Sequence, residues 1–127
     1  MASGLTLDSG ALIAAEKQNR QFWVIWAAAM KREARVTVPS AVVAQTWRGN
    51  SSIIARLLNV CDVEVLDEDI AKRVGTLLAK GRGASDLVDA AVVVGAAQRG
   101  DTIVTSDPSD IGRLLEAAGG GVAILAV

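Results

Sequence analysis

Residues 85–107 read SDLVDAAVVVGAAQRGDTIVTSD. From Leu87 to Arg99 the run is apolar nearly all the way along, as expected of a helix buried on most sides. Gly100 interrupts it, and DTIVTSD (101–107) follows as a strongly β-prone run. A buried helix feeding a buried strand is half of a parallel α/β repeat. The helix nevertheless opens with two carboxylates, Asp86 and Asp89, three residues apart and therefore on one helical face. Like charges at the head of a segment otherwise fit for burial ask for a cause beyond packing.

Working outward, the chain alternates strand-like and helix-like segments. LTLD (5–8) reads as a short strand and SGALIAAEKQ as the helix after it. RQFWVIWAAAMKREA (20–34) has a broad apolar stripe through Phe22, Trp23, Trp26 and Met30. RVTVP (35–39) is a strand stopped by Pro39, after which Ser40 is expected to cap the helix AVVAQTWRG, with Gly49 at its exit. SSIIARLLNV is a helix capped by Asn50 or Ser51, and VEVL (63–66) a strand. DEDIAKRVGTLLAKG is an amphipathic helix with an acidic first turn and Lys80 in its last. PSDIGRLLEAAGGG places Pro108 at a favoured first helical position, and VAILAV closes the chain as an expected buried strand. Apolar rather than alternating strands, separated by helices, predict a parallel sheet covered on both faces. With no linker or repeat in 127 residues, one domain over 1–127 is expected.

Composition narrows the chemistry. The chain has no histidine, which removes the usual general base and the commonest metal ligand. Cys61 is its sole cysteine, so a disulfide framework and a thiolate metal cluster are both excluded. Any metal must be held by oxygen, which favours Mg²⁺ or Mn²⁺ over zinc. A net charge of −1 excludes a general nucleic-acid polycation, although nine arginines against four lysines suit phosphate recognition. The absence of an 18-residue apolar run and of a basic, apolar leader in MASGLTLDSG predicts a cytoplasmic protein with no membrane span.

In parallel α/β sheets ligands bind beyond the carboxyl ends of the strands. Asp8 ends the first strand, Asp107 ends TIVTSD, and Asp86 and Asp89 open the helix before it. A right-handed crossover fold brings these groups to one sheet edge, where crowded carboxylates either take up a proton or share a cation. A divalent ion there would activate water and stabilise charge on a phosphate. Each acid also suits a helix cap. Asp107 precedes Pro108 with Asp110 three residues on, a capping-box pattern; Asp86 with Asp89 resembles the same device; Asp8 precedes Ser9 and Gly10.

LTLDSGALIA, TVPSAVVAQTWRG, SDLVDAAVVVGAAQRG and TIVTSD, in that order and at those separations, resemble the PIN domain, and more narrowly the VapC-like toxin of a VapBC-type toxin–antitoxin pair. The resemblance spans essentially the whole chain; Asp89 and Asp107, eighteen residues apart, belong to its most specific part. It implies a Rossmann-like α/β/α sandwich of about five parallel strands. It also implies a Mg²⁺-dependent endoribonuclease, with Mn²⁺ able to substitute, cutting structured RNA such as tRNA or ribosomal RNA. By position Asp8, Asp89 and Asp107 match metal-ligating acids, and Asp86 is an additional catalytic carboxylate one turn before Asp89. Where the family carries a glutamate this chain has Gln45, which keeps an oxygen but loses the charge. The resemblance further implies a VapB-like antitoxin as partner and a homodimer.

Around the acids, Arg48 lies three residues after Gln45, on the same helical face, and could meet a substrate phosphate. Ser9 and Thr105 flank Asp8 and Asp107 and could bind water or phosphate, and Arg82 in the GRGAS turn could reach RNA. The stripe Phe22, Trp23, Trp26 and Met30 reads first as core; what one face cannot bury could form a groove for an antitoxin helix or a dimer contact, and Trp47 raises the same question. The rival reading is a module of the same fold, weakened at Gln45, that binds RNA or antitoxin without cleaving. A receiver-type phosphotransfer domain is disfavoured by the single acid in LTLDSG and the missing lysine after TIVTSD, and no P-loop motif is present.

Overall fold

A computed structural model describes residues 4–81 and 86–127; Arg82 lies outside the described residues. Five strands form one all-parallel sheet in the order β3-β2-β1-β4-β5: β1 (Leu5–Leu7), β2 (Val36–Pro39), β3 (Asp62–Glu64), β4 (Thr102–Thr105) and β5 (Ile124–Ala126). Register is set by Thr6 beside Thr37 on one flank and Ile103 on the other. The connections are helical: α1 (Ser9–Glu16) and α2 (Arg20–Lys31) after β1, then α3 (Ser40–Thr46) and α4 (Ser52–Val60) after β2. Next come α5 (Glu68–Lys80) and α6 (Leu87–Arg99) after β3, and α7 (Pro108–Ala117) after β4.

Right-handed crossovers assign the helices to layers. Leaving β1 in one direction puts α1–α4 on one face, where α1 packs against α2, α3 and α4. Returning across the sheet to β4 puts α5–α7 on the other, where α6 packs against α5, α7, β1, β2 and β4. The α/β/α sandwich with five parallel strands is therefore present as expected.

Local chemistry explains the element ends. Asn19, Ser51 and Asp67 each accept a hydrogen bond from the amide three residues on, at 2.9, 3.2 and 2.8 Å, and start α2, α4 and α5. Gly100 takes the left-handed conformation that ends α6, at φ 73°. The core joins both layers through Leu7, Leu12, Phe22, Val38, Val92, Ile103 and Leu114, each nearly or fully buried. A fully buried side chain of this size contributes about 1.5–3 kcal/mol. Ala90, Ala91, Val92, Val93, Gly95 and Ala96 form the buried side of α6, all small or β-branched, so this helix lies close against the strands.

Three local expectations are corrected. Ser40 is not a cap: it is the first helical residue of α3, and its hydroxyl accepts from the Leu66 amide at 3.1 Å, tying the end of β3 to α3. The strand expected at 63–66 stops at Glu64, because Asp67 N–H turns back to the Val65 carbonyl. β5 is an edge strand covered by α7, with Leu125 40 % exposed, rather than a buried one.

Candidate metal centre

β1 lies at the switch point of the sheet, because the chain leaves it toward β2 and later returns on its other side as β4. Asp8 leaves β1 there. It is 3 % exposed, and its Oδ1 accepts from Ala11 N at 2.8 Å, so it caps α1 from inside the fold. Burial raises its pKa; hydrogen bonds from the Thr105 hydroxyl and the Ala11 amide partly offset this, and the nearby Asp107 charge adds to it.

Thr105, fully buried at the end of β4, joins two acids. Its hydroxyl bonds Asp8, and its Oγ1 accepts from the Asp107 amide at 2.8 Å. Asp107 is exposed and caps α7 by accepting from Asp110 N at 3.3 Å. The second half of the expected capping box is not made. The Asp107 amide is taken by Thr105, and the Asp110 carboxylate pairs with Arg113 instead.

Thr105→Val is expected to destabilise the protein by about 1–2 kcal/mol, the cost of leaving a donor and a buried acceptor without their bond. Because the lost hydroxyl favours ionised Asp8, the loss should shrink as the pH falls from 7 to 4 and Asp8 gains proton occupancy. Urea unfolding at the two pH values checks both sign and size.

At the head of α6, Asp86 is the cap, with Oδ1 accepting from Val88 N at 2.8 Å and Asp89 N at 3.1 Å. The structural role anticipated for Asp86 is therefore real, and so is its proximity to the cluster. Asp89, half-buried one turn on, has its pKa raised from 3.8 to about 6. Burial is the largest cause, followed by the charges of Asp86, Asp8, Asp110 and Asp107. One carboxylate thus feels four others, drawn from the ends of β1 and β4 and the starts of α6 and α7. That answers the question raised by the acidic first turn of an apolar helix.

Gln45, near the end of α3, is exposed, and its Oε1 accepts a short hydrogen bond from the Ser9 hydroxyl, which puts it beside Asp8 at the start of α1. Arg48 instead turns onto its own backbone, with Nη1 donating to the Trp47 carbonyl at 2.8 Å in exposed chain beyond α3. Trp23 and Trp26 pack edge-on to each other and line a groove of about 260 Å³ between α2 and α4, with Ile53, Arg56, Leu57 and Val60. Trp47, 45 % exposed after α3, does not line that groove.

Among the described residues, no three carboxylates converge on one point closely enough to hold an ion. The donor set still fits a hard divalent cation. It is all oxygen, and a cation would offset the charges of Asp86, Asp8, Asp110 and Asp107 that add to burial in raising the Asp89 pKa.

The sequence reading missed two features. The Ser106 contact that explains Gly10 joins the β4–α7 turn to α1, and nothing local to LDSG marks it. A cluster of Arg99, Glu64, Asp101 and Thr6 under α6 was likewise unseen; QRGD carries the charges but no hint of their distant partners.

No family model matches the chain, and no curated protein matches it. Solved structures do. A chain of the VapBC2 complex from Rickettsia felis bound to promoter DNA aligns with TM-score 0.73 and 12 % identity, covering 97 % of this chain and 98 % of that one. A chain of DNA-bound VapBC from Salmonella typhimurium aligns with TM-score 0.70 and 16 % identity over 98 % of both chains. One of FitAcB from Neisseria gonorrhoeae aligns with TM-score 0.63 and 17 % identity over 95 % and 96 %. At these identities the likeness establishes the fold, a PIN-like sandwich, and nothing finer. The narrower identification with VapC-like toxins is therefore corrected. The neighbours are chains of two-component complexes, identities of 12–17 % do not fix which component this chain resembles, and no family model supports the assignment.

Proposed function

We propose that this protein is a divalent-metal-dependent endoribonuclease, working as one component of a type II toxin–antitoxin system. The observation that carries the reading is the set of four carboxylates acting on Asp89 at the switch point of a parallel sheet. The neighbours, all from two-component complexes, support the pairing with a partner.

In this reading Asp8, Asp89 and Asp107 would hold Mg²⁺, or Mn²⁺ in its place, and the bound cation would supply positive charge against a phosphodiester and acidify water. The remaining work belongs to the chain. Thr105 keeps Asp8 and Asp107 in fixed relation, and its hydrogen bond favours the ionised form of Asp8. Asp86 orients water from its cap position, and Gln45 with Ser9 offers neutral hydrogen bonds at the rim. An antitoxin segment with apolar side chains would fill the groove at Trp23 and Trp26. Self-association as a homodimer belongs to the same proposal and is read by light scattering.

The test is cleavage of structured RNA by the purified chain in Mn²⁺, Mg²⁺ or EDTA, beside Asp89→Ala and Gln45→Glu. Cleavage that requires metal and is lost in Asp89→Ala is the expected result. A silent parent beside an active Gln45→Glu would instead mark position 45 as the defect and favour the binding module. No Mn²⁺ binding by the parent would end the metal reading.

A further inference from the structure

Beneath α6 a polar cluster ties the helix to the sheet. Arg99, its last residue, extends its guanidinium between helix and strands. Nε donates to Asp101 Oδ2 at 2.9 Å, Nη2 donates to Thr6 Oγ1 at 2.9 Å, and Nη1 donates to the Glu64 carboxylate in a short ion pair. The Thr6 hydroxyl donates to Asp101 Oδ2 at 2.8 Å, closing the set. These partners come from β1, β3 and the entry to β4, so one side chain grips three strands. The groups are largely buried: Arg99 and Glu64 side chains are 22 % and 21 % exposed, and Asp101 is 7 %. Gly95, one turn earlier, leaves the necessary room, since a Cβ there would stand 2.4 Å from Glu64 Oε1 and 3.0 Å from Arg99 Nη2.

The apolar contact of α6 with the sheet is made by alanine, glycine and valine, a smooth surface. Apolar burial is non-directional and sets the axial position of such a helix weakly. Hydrogen bonds are directional and weaken steeply when misaligned. A slip of one residue moves a helical side chain about 1.5 Å along the axis and turns it by about 100°. That movement would shift Asp89 relative to Asp8 and Asp107, whose charges it feels.

We infer that Arg99 is a positioning residue whose grip on Thr6, Glu64 and Asp101 fixes the register of α6 and so sets Asp86 and Asp89 against the acids at the ends of β1 and β4. The inference deepens the metal-centre reading and rests on it for its consequence, but not for its geometry.

The experiment compares the full chain with Arg99→Met, Arg99→Lys and the near-isosteric Thr6→Val. Arg73→Met, which breaks the exposed pair with Asp69 on α5, is the control. Amide hydrogen exchange is followed at Asp89 and Ala90, whose N–H groups both bond Asp86, and at α1 and β4. Mn²⁺ affinity is titrated in parallel. Arg99→Met is expected to speed exchange at Asp89 and Ala90 at least about tenfold, with α1 and β4 close to parental, and to weaken Mn²⁺ about tenfold, as loss of a ligand-orienting partner does. Arg99→Lys should recover part of both effects, because it keeps the charge but not the three-way fork. Thr6→Val should shift both in the same direction by less, and it decides the matter if Arg99→Met does not fold. Parental exchange at the head of α6 in folded variants would overturn the inference, as would acceleration shared equally by α1 and β4. If the parent binds no Mn²⁺, the metal reading fails, and local exchange at α6 still supports or overturns the positioning role.

Discussion

Asp89→Asn is expected to raise stability and abolish cleavage at once. The ionised carboxylate is held half-buried among four others, which lifts its pKa from 3.8 to about 6. Below pH 3.8 the group is protonated folded and unfolded, and it costs nothing. Between 3.8 and about 6 the folded form keeps a proton that the unfolded form has lost, so stability falls as pH rises, and above that window the loss is complete. At full weight the shift corresponds to about 3 kcal/mol. Solvent screening at a half-exposed carboxylate reduces it to about 1–2 kcal/mol.

In EDTA at pH 7.5 the variant should therefore melt about 4–8 °C above the parent, with the gap closing toward pH 4. Added Mn²⁺ reverses the comparison, because a ligand that binds the folded parent alone raises only its melting temperature. RNA cleavage should fall about 10³-fold, the size expected when several kcal/mol of charge stabilisation is lost. Thermal melts across pH 4–8 with and without Mn²⁺, beside one cleavage assay, read all three effects. A variant no more stable than the parent at pH 7.5 would mean that Asp89 is not held against its neighbours.

What was legible in the sequence follows from how local each signal is. The apolar run of α6, the glycine that ends it and the β-prone run behind it are written in adjacent residues, and all three hold. Asp8, Asp86 and Asp107 stood out because they mark the ends of strands and the starts of helices. All three are indeed caps, and the charge of each acts on Asp89.

Signals that depend on distant chain were lost. Ser40 looked like a cap until Leu66, 26 residues away, claimed its hydroxyl. Arg99 meets Thr6 across 93 residues and Glu64 across 35, separations at which spacing says nothing. Spacing also places acids at one edge without saying how nearly they converge, and among the described residues no three do. The narrow family identification failed for a related reason. Short motifs at the right separations are consistent with the fold, and the comparisons support the fold alone.

Gly10→Ala should separate the two halves of the acidic edge. An added Cβ would stand 1.8 Å from Ser106 Oγ, 2.8 Å from Ser106 Cβ and 3.2 Å from Ser106 N. The hydroxyl can rotate away, but the Cβ and backbone nitrogen can retreat only if the β4–α7 turn shifts. That turn carries Thr105 on one side and Asp107 on the other, so relief of the clash draws both away from Asp8. Overpacking of this kind costs about 1–3 kcal/mol. A displacement of about 1 Å in a reacting constellation costs about 10²-fold in rate. Ser106→Gly removes the two closest clashing atoms, leaving only the 3.2 Å approach to its nitrogen, so it should restore much of both losses when combined with Gly10→Ala. In a double-mutant cycle over melting temperature and RNA cleavage, the two substitutions should couple by about 1–2 kcal/mol. Additive effects, or a Gly10→Ala chain as active as its parent, would mean that the contact between α1 and the β4–α7 turn does not set the spacing of Asp8 and Asp107. Coupled recovery would show that Gly10 is there because the acids at the ends of β1 and β4 must approach through a space with no room for a side chain.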